Sequence, residues 1–293
     1  MKLDFSERVA IVTGAGGGLG RAHALALAAR GARVLVNDLG AQNAQAVVDE
    51  ITAAGGQAVA HTASVTDAPA VADLVAQVMA RWGRIDILVN NAGILRDKSF
   101  AKMSLDDFRL VIDVHLMGAV HCCQTVWPIM QAQKYGRIVM TTSSSGLYGN
   151  FGQANYSAAK MALVGLMQTL SIEGAKSDIR VNCLAPTAAT RMTEGLLPPE
   201  LLAALTPESV VPALLWLVSQ DAPTRAIACA GAGTFEAAHI TLTTGLHLGI
   251  GPDTPEQLAA SWPQVADRAG EQVPASGAAQ GHNEVTQALA ARR

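Results

Sequence analysis

The sequence predicts an α/β protein built on a doubly wound parallel sheet, and three observations carry that expectation. Short apolar, β-branched runs alternate with Ala- and Leu-rich segments of helical period along most of the 293 residues, the pattern of repeated β-α-β units. A glycine-rich turn, Thr13-Gly14-Ala15-Gly16-Gly17-Gly18-Leu19-Gly20, joins the first apolar run to the first helical segment. Half of the residues are hydrophobic and only 15% are charged, which supplies a large core and suits close packing of helices over a sheet rather than disorder.

Taken in order, strands are expected at 8–13, 33–37, 57–61, 85–90, 137–142 and 179–184. Helices are expected at 19–30, 41–54, 68–82, 105–132 and 155–175, each long enough for a right-handed crossover between parallel strands. A further helix is expected at 207–220, and the Gly- and Thr-rich stretch 227–250 is expected to supply a last strand. From Pro252 the composition turns to Pro, Gln, Ala and Gly with scattered charge, so residues 1–251 are read as one domain and 252–293 as a C-terminal extension. That extension carries helical patterns at 254–266 and 283–291, and no internal repeat is visible.

Composition and charge narrow the function classes. A net charge of -3 without any Lys/Arg run offers no general attraction to a phosphate backbone, so nucleic acid is not an expected partner. The four cysteines, Cys122, Cys123, Cys183 and Cys229, form no CxxC pair. Neither a disulfide framework nor a metal site is expected, and buried thiols in a reducing compartment are. The opening MKLDFSERVAIVTG holds two acids and runs straight into a strand, leaving no expected signal peptide. No apolar run approaches the ~18 residues of a membrane span, so no membrane partner is expected and a cytoplasmic location is.

The glycine turn reads as a phosphate cradle. Glycines let the backbone turn sharply and approach a pyrophosphate, while free N–H groups at the start of the helix face the anion. At the end of the second strand, Asp38 stands 18 residues beyond Gly20 (38 − 20 = 18), close to the ~20 expected of a ribose-binding carboxylate. A 2′-phosphate there would meet like charge, and Gly17 stands where an Arg or Lys would compensate, so NAD is expected over NADP. The same acid also suits a plain strand end or a helix cap.

A second constellation concerns proton transfer. In Asn155-Tyr156-Ser157-Ala158-Ala159-Lys160, Tyr156 and Lys160 stand at i and i+4 on one helical face. A phenol of ordinary pKa ~10 is a weak base at neutral pH, and a neighbouring ammonium is expected to favour the phenolate. A downward shift of three units would be worth ~4 kcal/mol. Ser143 closes the fifth strand thirteen residues before the tyrosine (156 − 143 = 13), where parallel sheets of this kind place their ligand crevice, and its hydroxyl can orient a substrate oxygen. Ser144 and Ser145 are its neighbours, and spacing selects Ser143.

Through TGAGGGLG, Asn90-Asn91-Ala92-Gly93, Ser143 and YSAAK the chain resembles the short-chain dehydrogenase/reductase family, over residues 5 to about 250. The resemblance implies a Rossmann-type domain, homodimers or homotetramers, a small-molecule substrate and an NAD-dependent exchange of hydride and proton with a secondary alcohol. It places the catalytic roles on Ser143, Tyr156 and Lys160. A fourth polar member, usually Asn, falls on His115. There the family's helix kinks and frees a carbonyl that holds a water beside the lysine; a histidine preserves that relay through its backbone, and it is read equally as a packed helix residue or a proton carrier. Cofactor contacts carry over to Gly14, Gly18, Leu19, Gly20, Asp38, Ser64, Val65, Asn91, Ala92, Gly93, Tyr156, Lys160, Pro186 and Thr190.

Longer runs, VNDLG, NNAGILRDKSFAKMS, VHLMG, QKYGRIVMTTSSSGLYGNFGQANYSAAK and TRMT, are similar to a subgroup of that family. It comprises the (3R)-hydroxyacyl-CoA dehydrogenase domains of peroxisomal multifunctional β-oxidation enzymes, grouped with 17β-hydroxysteroid dehydrogenases. That similarity implies oxidation of a (3R)-hydroxyacyl-CoA to the 3-oxoacyl-CoA, and it extends weakly into the tail at Thr254-Pro255-Glu256-Gln257 and Ser261-Trp262. The subgroup's downstream domains are absent and the final Ala-Arg-Arg is no peroxisomal address, so a stand-alone cytoplasmic relative is expected. Arg96, Lys98 and Lys102 are candidate contacts for CoA phosphates or merely solvated cations. Tyr148, Phe151 and Met192 are candidate pocket walls or core residues. A hydroxysteroid dehydrogenase, a 3-oxoacyl-carrier-protein reductase and a non-catalytic NAD-binding regulator are the alternatives.

Overall fold

The computed structural model describes residues 3–189 and 199–291. Its sheet contains β1 Val9–Thr13, β2 Arg33–Asp38, β3 Gln57–Thr62, β4 Ile87–Asn90, β5 Gly136–Thr141, β6 Ile179–Pro186, β7 Ile227–Gly231 and β8 Thr234–Ala238, in the order β3-β2-β1-β4-β5-β6-β7-β8. The pairings β1 with β2 and β4, β2 with β3, and β4 through β7 in succession are all parallel. The winding reverses between β1 and β4, which opens a crevice at their carboxyl ends. The six expected strands are present; the stretch 227–250 supplies two rather than one, and between β8 and Ile250 it takes part only in an isolated bridge from Leu242 to Gln272.

Helices α1 Gly18–Ala28, α2 Ala41–Ala53 and α3 Ala68–Trp82 follow the first three strands. After β4 come α4 Leu105–Ile112 and α5 Gly118–Gln133; after β5 come α6 Ser144–Tyr148 and α7 Ala154–Gly174; and α8 Pro199–Ala204 and α9 Val211–Leu217 precede β7. Ala10, Val12, Val34, Val36, Ile87 and Val89 join Leu27 of α1 and Leu214 of α9 in one core cluster. The intervening Val9, Ile11, Leu35 and Leu88 are equally buried and face the layer of α3, α5 and α7. A sheet buried on both faces explains why its strands read as continuous apolar runs. Each such Leu or Ile contributes about 1.5–3 kcal/mol on burial.

The helix expected at 105–132 is not continuous. Between α4 and α5, residues Asp113–Met117 form a wider π turn, with the Gly118 N–H returning to the carbonyl of Asp113. By length and composition the stretch Leu105–Gln133 passes as a membrane-crossing helix, its best window reaching a mean hydropathy of 1.2, which the sequence reading did not anticipate. In the fold, the stripe Val111, Ala119, Cys122, Val126 and Met130 is buried and α5 packs on α3, β4 and β5, so the apolar face has a protein partner.

The chain forms two compact units that meet at Ala237 and Ala238, so the compositional boundary at 251/252 falls inside the second. That second unit contains α10 Thr254–Val265 and α11 Gly277–Ala290, neither with a buried residue. It is held by the Leu242–Gln272 bridge, by Thr243 Oγ1 donating to the Val265 carbonyl at 2.8 Å and by Gln287 Nε2 donating to the Thr244 carbonyl at 2.7 Å.

Candidate active site

All the parallel strands present their carboxyl ends to one edge, and there a cleft of about 480 Å³ opens, within the range of small-molecule and cofactor sites. Gly14, Gly17, Gly18, Leu19, Asp38, Asn91, Ala92, Gly93, His115, Ser143, Tyr156, Lys160 and Pro186 line it. Sequence reasoning named all of these, and the fold gathers them from the ends of β1, β2, β4, β5 and β6.

The glycines are there for close approach. Gly14 has φ +62°, and a Cβ on it would meet Ala92 Cα at 2.8 Å; a Cβ on Gly20 would lie 2.3 Å from the Gly14 carbonyl oxygen. The end of β1, the start of α1 and the loop after β4 can therefore touch only without side chains. Thr13 Oγ1 accepts from the N–H groups of Asn91 and Ala92 at 3.0 and 3.1 Å, while Asn91 Nδ2 donates to the Thr13 and Gly14 carbonyls at 2.9 and 3.1 Å. Asn91 thus braces the cradle as well as lining it.

The amino end of helix α1 is open. Asp67 caps α3 and Ser104 caps α4, whereas α1 begins at Gly17 with no side-chain cap and no acid in its first turn. Its N–H groups remain directed at the cleft, where an anion would satisfy them. Asp38 Oδ2 accepts from the Gly16 N–H and Oδ1 from the Gly40 N–H, both at 2.9 Å. The acid therefore caps the turn into α2, as one sequence reading expects, and it also lines the cleft. The residues present fit a dinucleotide, with bare N–H groups for its phosphates and a carboxylate at ribose distance along the sheet edge.

Two expected cofactor contacts stand elsewhere. Ser64 Oγ is engaged by Thr66, and Val65 packs against Gly118, whose added Cβ would meet Val65 Cγ2 at 2.5 Å. Neither lines the main cleft, because the turn after β3 leads away into α3. Thr190 and Met192 lie outside the described residues. Arg96 and Lys98 point to Asp107 at 3.8 and 3.6 Å, so their charge is already answered in part. Tyr148 and Phe151 are exposed by 72% and 90%, which removes core packing as their explanation.

Ser143 is buried at the N-cap of α6 and its Oγ accepts from the Ser145 N–H at 3.2 Å. Tyr156 lines the same cleft as Ser143. Lys160 is buried; its Nζ donates to the Thr141 carbonyl at 2.5 Å and lies 5.4 Å from the centre of the Tyr156 ring. The expected lowering of the phenol by this lysine is not what the site produces. Burial raises the Tyr156 pKa, opposed by Ser143 and reinforced by Asp97. Burial also lowers Lys160 to about 7, so at neutral pH its charge is only partly present.

His115 sits in the π turn, its ring edge-on to Tyr156 with centroids 5.1 Å apart. Its Nε2 lies 3.0 Å from the Ile94 N–H and 2.8 Å from the Ile94 carbonyl, and a Cβ on Gly93 would reach His115 Cε1 at 2.3 Å. Burial, with Lys160 adding to it, holds the imidazole down at about 3. Between the two sequence readings, the geometry is that of a neutral wedge between the tyrosine ring and the loop after β4. Beside it a chamber of about 10 Å³, lined by Thr13, Asn90, Val114, His115 and Lys160, is the size of a single water. Asn90 Oδ1 and His115 Nδ1 are buried there without a partner.

Sequence reasoning missed Thr141, whose main-chain oxygen holds Lys160, Gln153 and Ser145 on the cleft wall, and Asp97 bonded to Gln153. Gln153 precedes Tyr156 by one helical turn, which was a usable signal; Asp97 is 56 residues from Gln153, and nothing local announces that pairing.

Comparison with known proteins agrees with this geometry. Residues 8–200 match the family described as short chain dehydrogenase. The peroxisomal hydratase-dehydrogenase-epimerase of Saccharomyces cerevisiae is 47% identical over 275 residues, covering 90% of this chain and 31% of the yeast protein. The full-length peroxisomal multifunctional enzyme type 2 of Drosophila melanogaster superposes with a TM-score of 0.83 at 40% identity, over 98% of this chain and 50% of that one. A 7α-hydroxysteroid dehydrogenase solved with NADH and 7-oxo glycochenodeoxycholic acid superposes with a TM-score of 0.74 at 31% identity, over 78% and 95%. The chain thus spans about a third to a half of the two multifunctional proteins. With a serine, tyrosine and lysine gathered at the mouth of a glycine cradle, it belongs to the short-chain dehydrogenase family and is an oxidoreductase that works with a nicotinamide cofactor.

Proposed function

We propose that the chain oxidises a (3R)-hydroxyacyl-CoA to the 3-oxoacyl-CoA with NAD as acceptor. The observation that carries the chemistry is the convergence of Ser143, Tyr156 and Lys160 on one cleft beside the glycine cradle. Similarity to a hydratase-dehydrogenase-epimerase over nine-tenths of the chain supports the substrate class, and Asp38 supports NAD over NADP. Bound NAD supplies a hydride acceptor at nicotinamide C4 and a positive ring beside the phenol.

The chain's own groups do the rest. Tyr156 Oη, once ionised, takes the hydroxyl proton of the substrate. Ser143 already accepts the Ser145 N–H at 3.2 Å, so its own proton is available to steady the substrate oxygen. Lys160, lowered to about 7, exchanges a proton readily at neutral pH, and the chamber of about 10 Å³ beside it offers a one-water route onward. Gly14, Gly18, Leu19, Gly20, Asn91, Ala92 and Gly93 would hold the dinucleotide, with Asp38 on its adenosine ribose. His115 keeps the Tyr156 ring in place.

The bile acid in the related dehydrogenase supports a hydroxysteroid as the second reading. Steady-state rates with NAD and NADP on (3R)- and (3S)-hydroxyacyl-CoA thioesters and on hydroxysteroids separate the two. The proposal expects the highest kcat/KM for (3R) thioesters with NAD, and a preference for steroids or for NADP would overturn it. A cytoplasmic homodimer or homotetramer completes the proposal. The free thiols Cys122, Cys123 and Cys183, buried in the core, support a reducing compartment, and localisation of the tagged protein with light scattering tests both points.

A further inference from the structure

Asp97, Gln153 and Ser145 form a hydrogen-bonded chain that runs from the exposed loop after β4 to the wall of the cleft. Gln153 Nε2 donates to Asp97 Oδ2 at 2.7 Å, and Gln153 Oε1 accepts from Ser145 Oγ at 2.8 Å and from Asn150 Nδ2 at 3.1 Å. The Ser145 N–H continues to Ser143 Oγ at 3.2 Å. Gln153 and Ser145 are both buried and both line the cleft. Alongside, the Lys98 N–H donates to the Gly152 carbonyl at 2.9 Å and Asn155 Nδ2 to the Arg96 carbonyl at 3.0 Å. The loop after β4 and the loop before α7 are thereby fastened edge to edge.

An ionised carboxylate only accepts, so Asp97 draws the amide N–H of Gln153 toward itself. Oε1 must then face Ser145, and the Ser145 hydroxyl must donate into it. An acid on the loop after β4 thus orients the Gln153 amide and the Ser145 hydroxyl, and Ser145 so held presents its main-chain N–H to Ser143 Oγ. Among the described residues, the charged and titratable groups facing Tyr156 are few. Lys160 comes from its own helix at 5.4 Å and His115 from the π turn at 5.1 Å. Asp97 comes from the loop after β4, where Arg96 and Lys98 turn instead to Asp107 of α4. With His115 neutral, Asp97 is the negative member of that set.

We propose that Asp97 is a positioning residue: through Gln153 and Ser145 it aligns Ser143, the group that meets the substrate oxygen. The inference rests on the reading of Tyr156 as the base. An anion opposes the phenolate, and Asp97 acts on Tyr156 in that direction. A buried amide joined to both loops is poorly placed to rearrange when a substrate enters, which suits a device that sets geometry in advance.

The test begins with turnover by the parent and its loss in Tyr156→Phe; failure at that stage removes the base and not merely the part played by Asp97. With NAD saturating, the rising limb of kcat/KM against pH in Asp97→Asn is expected to move to lower pH by on the order of one unit. Dinucleotide affinity, read by fluorescence titration with NADH, should stay within about twofold. Gln153→Leu keeps the charge and the backbone bonds but cuts the chain, so kcat/KM should fall about tenfold without an acid shift of the limb. A parent-like kcat/KM together with a parent-like pH profile in Asp97→Asn overturns the inference. Should that variant not fold, unchanged kcat/KM in Gln153→Leu overturns it in the same way.

Discussion

The two edges of the parallel sheet are built to opposite rules. At the amino edge every buried charge is answered. The Arg137 side chain, fully buried, donates to the carbonyls of Ser219, Gly136, Asp178 and Gln220 at 2.7–3.0 Å and to Asp178 Oδ2 at 3.1 Å, and stacks on the Tyr135 ring at 4.1 Å. Asp86, equally buried, accepts from the Val9 N–H and from Arg8 and Arg84. At the carboxyl edge the opposite holds. Lys160 has its bond to Thr141, and Asn90 Oδ1, His115 Nδ1 and Thr141 Oγ1 are buried without partners. Unanswered polar groups cost stability. Part of that cost falls where a ligand and a proton must be received, and part on His23 of α1, whose two ring nitrogens are also buried without partners.

The largest effect should come from Tyr156→Phe, which removes one oxygen from the under-paired edge. Turnover is expected to fall about 10³-fold, with NADH affinity and the unfolding midpoint unchanged. A parallel loss of stability would break the contrast between the edges. Arg137→Met should do the reverse. Stranding several carbonyls and Asp178 is expected to lower stability by about 3 kcal/mol in urea titrations, while kcat per folded molecule stays that of the parent. Next comes Asp38→Ala, with NAD binding weakened about tenfold and discrimination against NADP relaxed; equal NAD affinity in variant and parent would remove the assignment.

A further effect is a dependence on pH. Burial holds both His23 and His115 at about 3, against an ordinary value near 6.5. The unfolded chain binds protons that the folded chain refuses, so their contribution is complete above about pH 6.5 and is lost as pH falls toward 3. Lys160, lowered to about 7, acts with the same sign as pH falls from about 10.5 to 7. Urea midpoints should therefore decline steadily below pH 6.5, and less steeply in His23→Leu. A flat profile between pH 4 and 8 would contradict the burial of these rings.

Much of the fold was legible because its signals are local. A strand buried on both faces announces itself as an apolar run, and the glycine cradle needs only eight consecutive residues. Tyr156 and Lys160 share a face by helical period alone. The interruption at Asp113–Met117 was not legible from periodicity, because the pattern 105–132 continues unbroken and one extra residue in a turn leaves no mark on it. That Ser64 and Val65 stand off the main cleft was not legible for a related reason: the direction in which the turn after β3 leaves the sheet depends on how α3 and α5 pack.

What the sequence by itself determined was which residues are available: a cradle without side chains, an acid one strand further on, and a phenol and an amine one turn apart. What only the tertiary structure decided was their chemical state. Lys160 is lowered because β5 and α7 close over it, Tyr156 is raised because it is buried beside Asp97, and Asp97 reaches Gln153 across 56 residues of chain. Desolvation and charge sum over neighbours brought together by folding, and no stretch of sequence contains that sum.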